Sequence, residues 1–286
     1  MDLYNMFLSE KIGGGGGGGT SAELQDDLTT SVTVGGIISG TTYAQGTLLE
    51  TLFRDMLNPV AYPTLTNPSA TLSGSGSKLL EIGATLAATI TATFSRGSIS
   101  PAYGTSGYRS GEATGYSLNS GTSQAGNTWS ETVTENNKTF QASVSYAAGE
   151  QPKDSVGNNY STPLAAGSVN TNTVSYEFVN ALWANTSNIT QITKQALVSK
   201  STKLKAFTFP SATVANPEVF DVPASWTVTA VEVLNTLSGQ WENCASEFTI
   251  TDTTHDDAGG TSTAYKRYTC NLGYDMGSRQ VRIKWS

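Results

Sequence analysis

The stretch from Ala84 to Ser95, ATLAATITATFS, decides the fold class of this chain. Ala84, Leu86, Ala88, Ile90, Ala92 and Phe94 alternate with Thr85, Thr89, Thr91 and Thr93. Successive side chains on a strand point to opposite faces, so this period of two puts the apolar groups on one side and the threonines on the other. The same alternation recurs at Phe140, Ala142, Val144 and Tyr146, and again at Val174, Tyr176 and Phe178. A long Gly/Tyr/Ser loop from Ile99 to Gly126 and a second loop around Pro152 to Asn159 separate these strands. Together they predict a β-sandwich of about 110 residues over 62–179, immunoglobulin-like in architecture but without the usual cysteine pair.

Toward the C-terminus, NALWANTSNIT (Asn180 to Thr190) marks the passage into a second β-domain over 180–286. An amphipathic segment at Ile192 to Ser199 precedes strands at Lys203 to Phe209 and Trp226 to Val233. Phe248 and Ile250 on one side and Tyr265 to Cys270 on the other read as the arms of a hairpin around the acidic loop TDTTHDDAGG. The last strand, Gln280 to Trp285, turns Val281, Ile283 and Trp285 inward and Arg282 and Lys284 outward.

Toward the N-terminus, residues 20–61 read as a small strand–helix linker and oligomerisation element. Thr20 to Asp27 forms a polar connector and Leu28 to Val34 a short strand, after which Gly35 and Gly36 turn the chain into a second strand from Ile37 and Ile38 to Gly40. Leu48, Leu49, Leu52, Phe53, Met56 and Leu57 then repeat at helical spacing. Thr47 followed three residues later by Glu50 is a capping-box pattern, and Asn58–Pro59 ends the helix.

Before this element stand the peptide MDLYNMFLSEKI (Met1 to Ile12) and seven glycines, Gly13 to Gly19. A glycine run has nothing to bury and the largest entropy to lose, so it is a tether, reaching about 15 Å as a random coil. In the peptide, Leu3 with Phe7 and Tyr4 with Leu8 fall at i,i+4 spacing, as in a short amphipathic helix. A lone helix of this length is marginal in water, so it is expected to order on a partner; a plain disordered tail is the alternative. The peptide has the wrong charge order and no small-residue cleavage site for a secretory signal.

Charged residues are 14% of the chain and its net charge is −7, which argues against a nucleic-acid surface built from clustered Lys and Arg. No apolar run approaches the length of a membrane span, so no membrane insertion is expected. His255 is the only histidine. Any Ser/His/Asp or Cys/His mechanism must pass through it, yet it stands beside Asp252, Asp256 and Asp257 in the predicted hairpin loop, where an exposed histidine is the better reading. That acidic loop resembles a calcium loop only in composition and fits no EF-hand spacing. Cys244 and Cys270 lack metal spacing and read as buried free thiols or as cross-strand neighbours. Trp129, Trp183, Trp226 and Trp241, with Tyr103, Tyr108 and Tyr116 of the long loop, are candidates for a sugar-stacking platform, although aromatics of β-proteins usually fill cores. The three tyrosines are the ones expected to be exposed. No cofactor, metal site or catalytic constellation is expected.

The N-terminal MDLYNMFLSEKIGGGGGGG, the segment VTVGGIISGTTYAQGTLLETLFRDML and the phrases KLLEIGATLAATITATFS and TSNITQITKQAL resemble virion structural proteins of tailed phages of gut bacteria, in the head-fibre and tail-fibre-like group. The resemblance covers residues 1 to about 100 well and the rest loosely. It implies a mainly β protein with an N-terminal anchor, a glycine tether and two Ig-like domains, made in the host cytoplasm without a signal peptide and placed on the outer surface of the virion. It implies anchoring to capsid or another virion protein through Leu3, Tyr4, Phe7, Leu8 and Ile12, and a homo-oligomer, with a trimer favoured. It carries over no catalytic residue. A receptor-binding fibre that contacts host surface glycan through the Ile99 to Gly126 loop or the C-terminal domain is the other reading.

Overall fold

The computed structural model describes residues 23–34, 36–37, 39–57 and 60–286. The expected anchor with Leu3, Tyr4, Phe7, Leu8 and Ile12, the glycine tether, Gly35, Ile38 and the Asn58–Pro59 stop lie outside the described residues. The chain is mainly β, with 48% of residues in strands and 5% helical. The α-helix among the described residues, α1, spans Leu49–Leu57.

Residues 64–179 hold one core between two small sheets. One sheet orders β1 (Ser69–Gly74), β3 (Leu86–Ser95) and β5 (Thr128–Val133) with β3 central; the other orders β7 (Gly167–Asn170), β6 (Ala142–Tyr146) and β4 (Ala113–Leu118) with β6 central. Ala88, Ile90 and Ala92 point into this core beside Phe140, Val144, Tyr176 and Phe178, so the alternation of ATLAATITATFS is the physical face of β3. The run at Val174, Tyr176 and Phe178 buries the expected residues but divides its pairing. Val174–Ser175 pairs antiparallel with Thr139–Phe140, and β8 (Glu177–Val179) pairs parallel with β2 (Leu79–Glu81).

Residues 182–285 hold the second core, shared by a five-stranded and a four-stranded sheet. The first orders β10 (Gln191–Lys194), β9 (Trp183–Asn188), β12 (Val219–Pro223), β16 (Ser262–Cys270) and β15 (Phe248–Asp256). The second orders β11 (Leu204–Phe209), β17 (Arg279–Trp285), β13 (Val228–Asn235) and β14 (Gln240–Asn243). Phe207 stacks on Phe220, and Phe220 on Tyr268, across this core. Val281, Ile283 and Trp285 point inward as expected, and Arg282 and Lys284 share Glu232 on the outer face.

Several expectations are corrected. Leu28 to Val34 is not one strand: Leu28–Thr29 pairs with Thr42–Tyr43, while Val34 and Ile37 bridge across a tight turn. Thr47 does not cap the helix, because its hydroxyl turns back to the Ala44 carbonyl at 2.7 Å. The amphipathic segment Ile192 to Ser199 is in part a strand: Ile192 to Lys194 belong to β10, which pairs along β9. The Ile99 to Gly126 loop contains strand β4, and the acidic hairpin loop shrinks to the turn after Asp256, because polar threonines carry β15 as far as Asp256.

Candidate functional site

The outer face of the five-stranded sheet carries a cluster assembled by strand register. Trp183 is paired with both Lys194 and Asp221, and Asp221 with Arg267. Leu182, Ala184, Phe220, Val222, Tyr268 and Cys270 occupy the inner face in the core. Period-two alternation therefore sends Trp183, Asp221, Tyr265 and Arg267 outward, and the pairing of Thr253 with Tyr265 puts His255 on that same face.

Asp221 is fully buried on this outer face because its neighbours close over it. Arg267 holds it with two bonds, Nε to Oδ1 at 2.9 Å and a terminal nitrogen to Oδ2 at 2.8 Å. His255 Nε2 approaches Oδ2 at 2.6 Å. An ionised carboxylate only accepts hydrogen bonds, so Nε2 carries the hydrogen. The imidazole lies flat on Trp183, with centroids 4.2 Å apart and planes 7° from parallel, and meets the edge of Tyr265 at 4.9 Å. The hydrogen bond to Asp221 holds the Arg267 guanidinium above its ordinary value. Burial pushes the Tyr265 phenol up to about 12. The Trp183 indole N–H lies close enough to oppose that push but does not reach hydrogen-bond geometry, and it is left buried without a partner among the described residues.

This cluster stands where the two cores meet. Lys194 sits over the Trp183 ring at 5.2 Å and pairs with Glu81 of β2 at 2.8 Å. Tyr265 donates its hydroxyl hydrogen to the Ala181 carbonyl at 2.9 Å, and the Ala258 N–H bonds the Ile82 carbonyl at 3.1 Å. A Cβ added at Gly83 would lie 2.4 Å from the backbone nitrogen of Gly259. Backbone therefore packs on backbone at the seam.

His255 is thus not the exposed loop histidine that its acidic neighbourhood suggests. It lies in β15, its side chain 15% exposed. Its acidic neighbours disperse: Asp252 pairs with Lys266 at 2.5 Å, and Asp257 closes the turn by accepting from the N–H groups of Gly259 and Thr261. No group of residues suited to hold a metal ion occurs among the described residues. Among them also, no serine, threonine or cysteine hydrogen bonds to His255, whose ring nitrogen Nε2 is taken by Asp221.

A second buried charge network closes the far end of the second core. Arg279 Nε meets both oxygens of the fully buried Glu218 at 2.9 and 2.7 Å, and its terminal nitrogens reach Glu247 at 2.6 Å and the Cys270 sulfur at 3.3 Å. Burial raises the Glu218 carboxyl against the opposing pull of Arg279, and pushes the Cys244 thiol up to about 12. Cys244 and Cys270 are free and buried.

The aromatic residues do not form one platform. Trp226 stacks on Trp285, Trp241 lies under Arg282, and Trp183 is taken by His255. Tyr108 is exposed beneath the Arg96 guanidinium, and Tyr103 is half-buried. Tyr116 corrects the expectation of exposure: it sits in β4 opposite Val144 and packs against the first core. Asp221, Arg267 and Glu218 were invisible as a site from composition. The available signal was a carboxylate inside an apolar run, VFDVP, where a charge must find a partner.

Comparison with models of protein families, with curated proteins and with solved structures finds no match to this chain.

Proposed function

We propose that the chain is a structural protein of a phage virion, a capsid-attached head fibre or decoration protein that is anchored through residues 1–12 and displays two Ig-like β-sandwiches outward. The observation that carries this reading is the seam between the two cores. Main-chain hydrogen bonding, the Glu81–Lys194 ion pair and the Tyr265–Ala181 bond hold the sheets in one orientation. The fully buried carboxylates Asp221 and Glu218 are both engaged in structural pairing, with Arg267 and Arg279. A displayed module needs this property, because its outer end is positioned only as well as its joints are fixed.

Oligomerisation, with a trimer favoured, draws support from α1. Leu52 is buried, whereas Leu57 on the same short helix and Leu48 just before it are exposed. Exposed apolar side chains gathered on one element are what a self-association surface presents. The tether then lets the anchors of several copies find separate positions on a particle lattice.

Deletion of residues 1–12 tests the reading. The truncated chain is expected to keep the full-length thermal unfolding profile and to be missing from assembled particles by quantitative mass spectrometry. Full occupancy of particles by the truncated chain would overturn it.

A further inference from the structure

The structure assigns a second role to the open edge of the first core: we infer that the cleft between β4 and β5 binds one ring of a neutral saccharide through Trp129, Glu131, Gln124 and Thr122. This inference does not depend on the proposed virion role.

β4 and β5 are consecutive in the chain and are edge strands of opposite sheets. The segment joining them closes a cleft of about 310 Å³, at the small end of the range for small-molecule sites. A tight turn at Asn119–Ser120, both in the left-handed region and closed by the Gly121 N–H on the Leu118 carbonyl at 2.8 Å, shapes one wall. Gln124 shapes the next. Its backbone pairs with Tyr116, and its side-chain NH2 donates to the carbonyls of Gly126 and Thr128 at 2.9 and 3.0 Å. The amide is thereby fixed, with its carbonyl oxygen unused among the described residues.

Register decides what β5 offers. Val133 is fully buried, so Glu131 and Trp129 share its inward face, opposite Ala88 and Ile90. Both are only half-buried because the sheets part at this edge. Among the described residues, the Trp129 N–H and the Thr122 hydroxyl have no hydrogen-bond partner, and Glu131 holds only a long contact from Asn137 at 3.4 Å. The residues that line the cleft thus carry an indole, one N–H donor, one hydroxyl and two acceptor oxygens. Hydroxyls of a sugar ring donate to such acceptors while its C–H face lies on the indole. Glu131 is the one charged residue of the lining, which favours a neutral over an anionic ring. An inward charge also discourages edge-to-edge pairing, but that role needs neither the tryptophan nor the fixed glutamine amide.

The test uses the full chain labelled with 15N at its tryptophan indoles, with the Trp129 signal assigned through Trp129→Phe. The probes are maltose, cellobiose, mannobiose and N,N′-diacetylchitobiose, with a glucuronate-bearing disaccharide as the anionic counterpart, each at about ten times a millimolar Kd. At least one neutral probe is expected to move the Trp129 signal and leave those of Trp183, Trp226, Trp241 and Trp285 in place. Glu131→Gln, which preserves volume, is expected to weaken that probe about tenfold. Silence of the Trp129 signal with all four neutral probes, tighter binding of the anionic one, or unchanged binding by Glu131→Gln in a chain of unchanged melting temperature would each overturn the proposal.

Discussion

The imidazole of His255 lies face to face with the indole of Trp183, 4.2 Å away, while its Nε2 reaches the buried carboxylate of Asp221. One side chain therefore joins β15 to β9 by stacking and to β12 by a hydrogen bond. Asp221 is the member that bears the largest energetic consequence, because it is fully buried with two partners.

Asp221→Ala would leave Arg267 and His255 facing an apolar gap. Removing one partner of a buried pair costs about 3–5 kcal/mol, and the partial exposure of Arg267, 31% of its side chain, places the expected loss near the lower end, about 3 kcal/mol. His255→Phe retains a ring on Trp183 and removes one hydrogen bond to a charged group, so its expected cost is smaller, about 1.5 kcal/mol. Urea midpoints at unchanged slope measure both.

Gly83→Ala is expected to disrupt the seam. Gly83 has φ +81°, and its added Cβ would meet the Gly259 backbone at 2.4 Å. Gly40→Ala is the control, since φ is +89° there but nothing among the described residues lies within 4 Å. Calorimetry of Gly83→Ala should resolve separate transitions for the two cores, whereas Gly40→Ala should show only the backbone penalty of about 1–2 kcal/mol.

Cys244 and Cys270 are buried free thiols whose ionisation burial opposes. The thiolate is the reactive form. The native protein at neutral pH is therefore expected to resist a thiol-specific reagent, and the denatured protein to take up two equivalents. Rapid labelling of the native chain would contradict the packing of the second core.

Alkaline stability follows from the same burial. The Cys244 thiol moves from 9.0 to about 12 and the Tyr265 phenol from 10.0 to about 12. A raised folded value means that the unfolded chain releases its proton first. The stabilisation is complete below about pH 9 and is lost as pH rises toward 12. Melting temperature should fall progressively above pH 9, and Cys244→Ala should flatten the lower part of that decline.

Legibility in the sequence divided along the kind of residue involved. ATLAATITATFS and VRIKW could be read directly because each alternates oil and water at the strand period, and the structure buries the expected members. The polar run TDTTHD could not, because threonine and aspartate serve turns as readily as exposed strands. Capping at Thr47 failed for a related reason, since its hydroxyl had a nearer acceptor in Ala44.

By itself the sequence determined that this is a β-rich chain, which residues of its regular strands face a core, and that its lone histidine has no nucleophile-bearing motif beside it. Tertiary structure decided the rest. It brought Asp221, His255 and Arg267 together across three strands, buried a carboxylate on the outer face of a sheet, and opened a cleft between β4 and β5. Period-two patterning specifies a strand's faces, but what stands opposite each face depends on long-range register and on how the sheets meet, which no local pattern encodes.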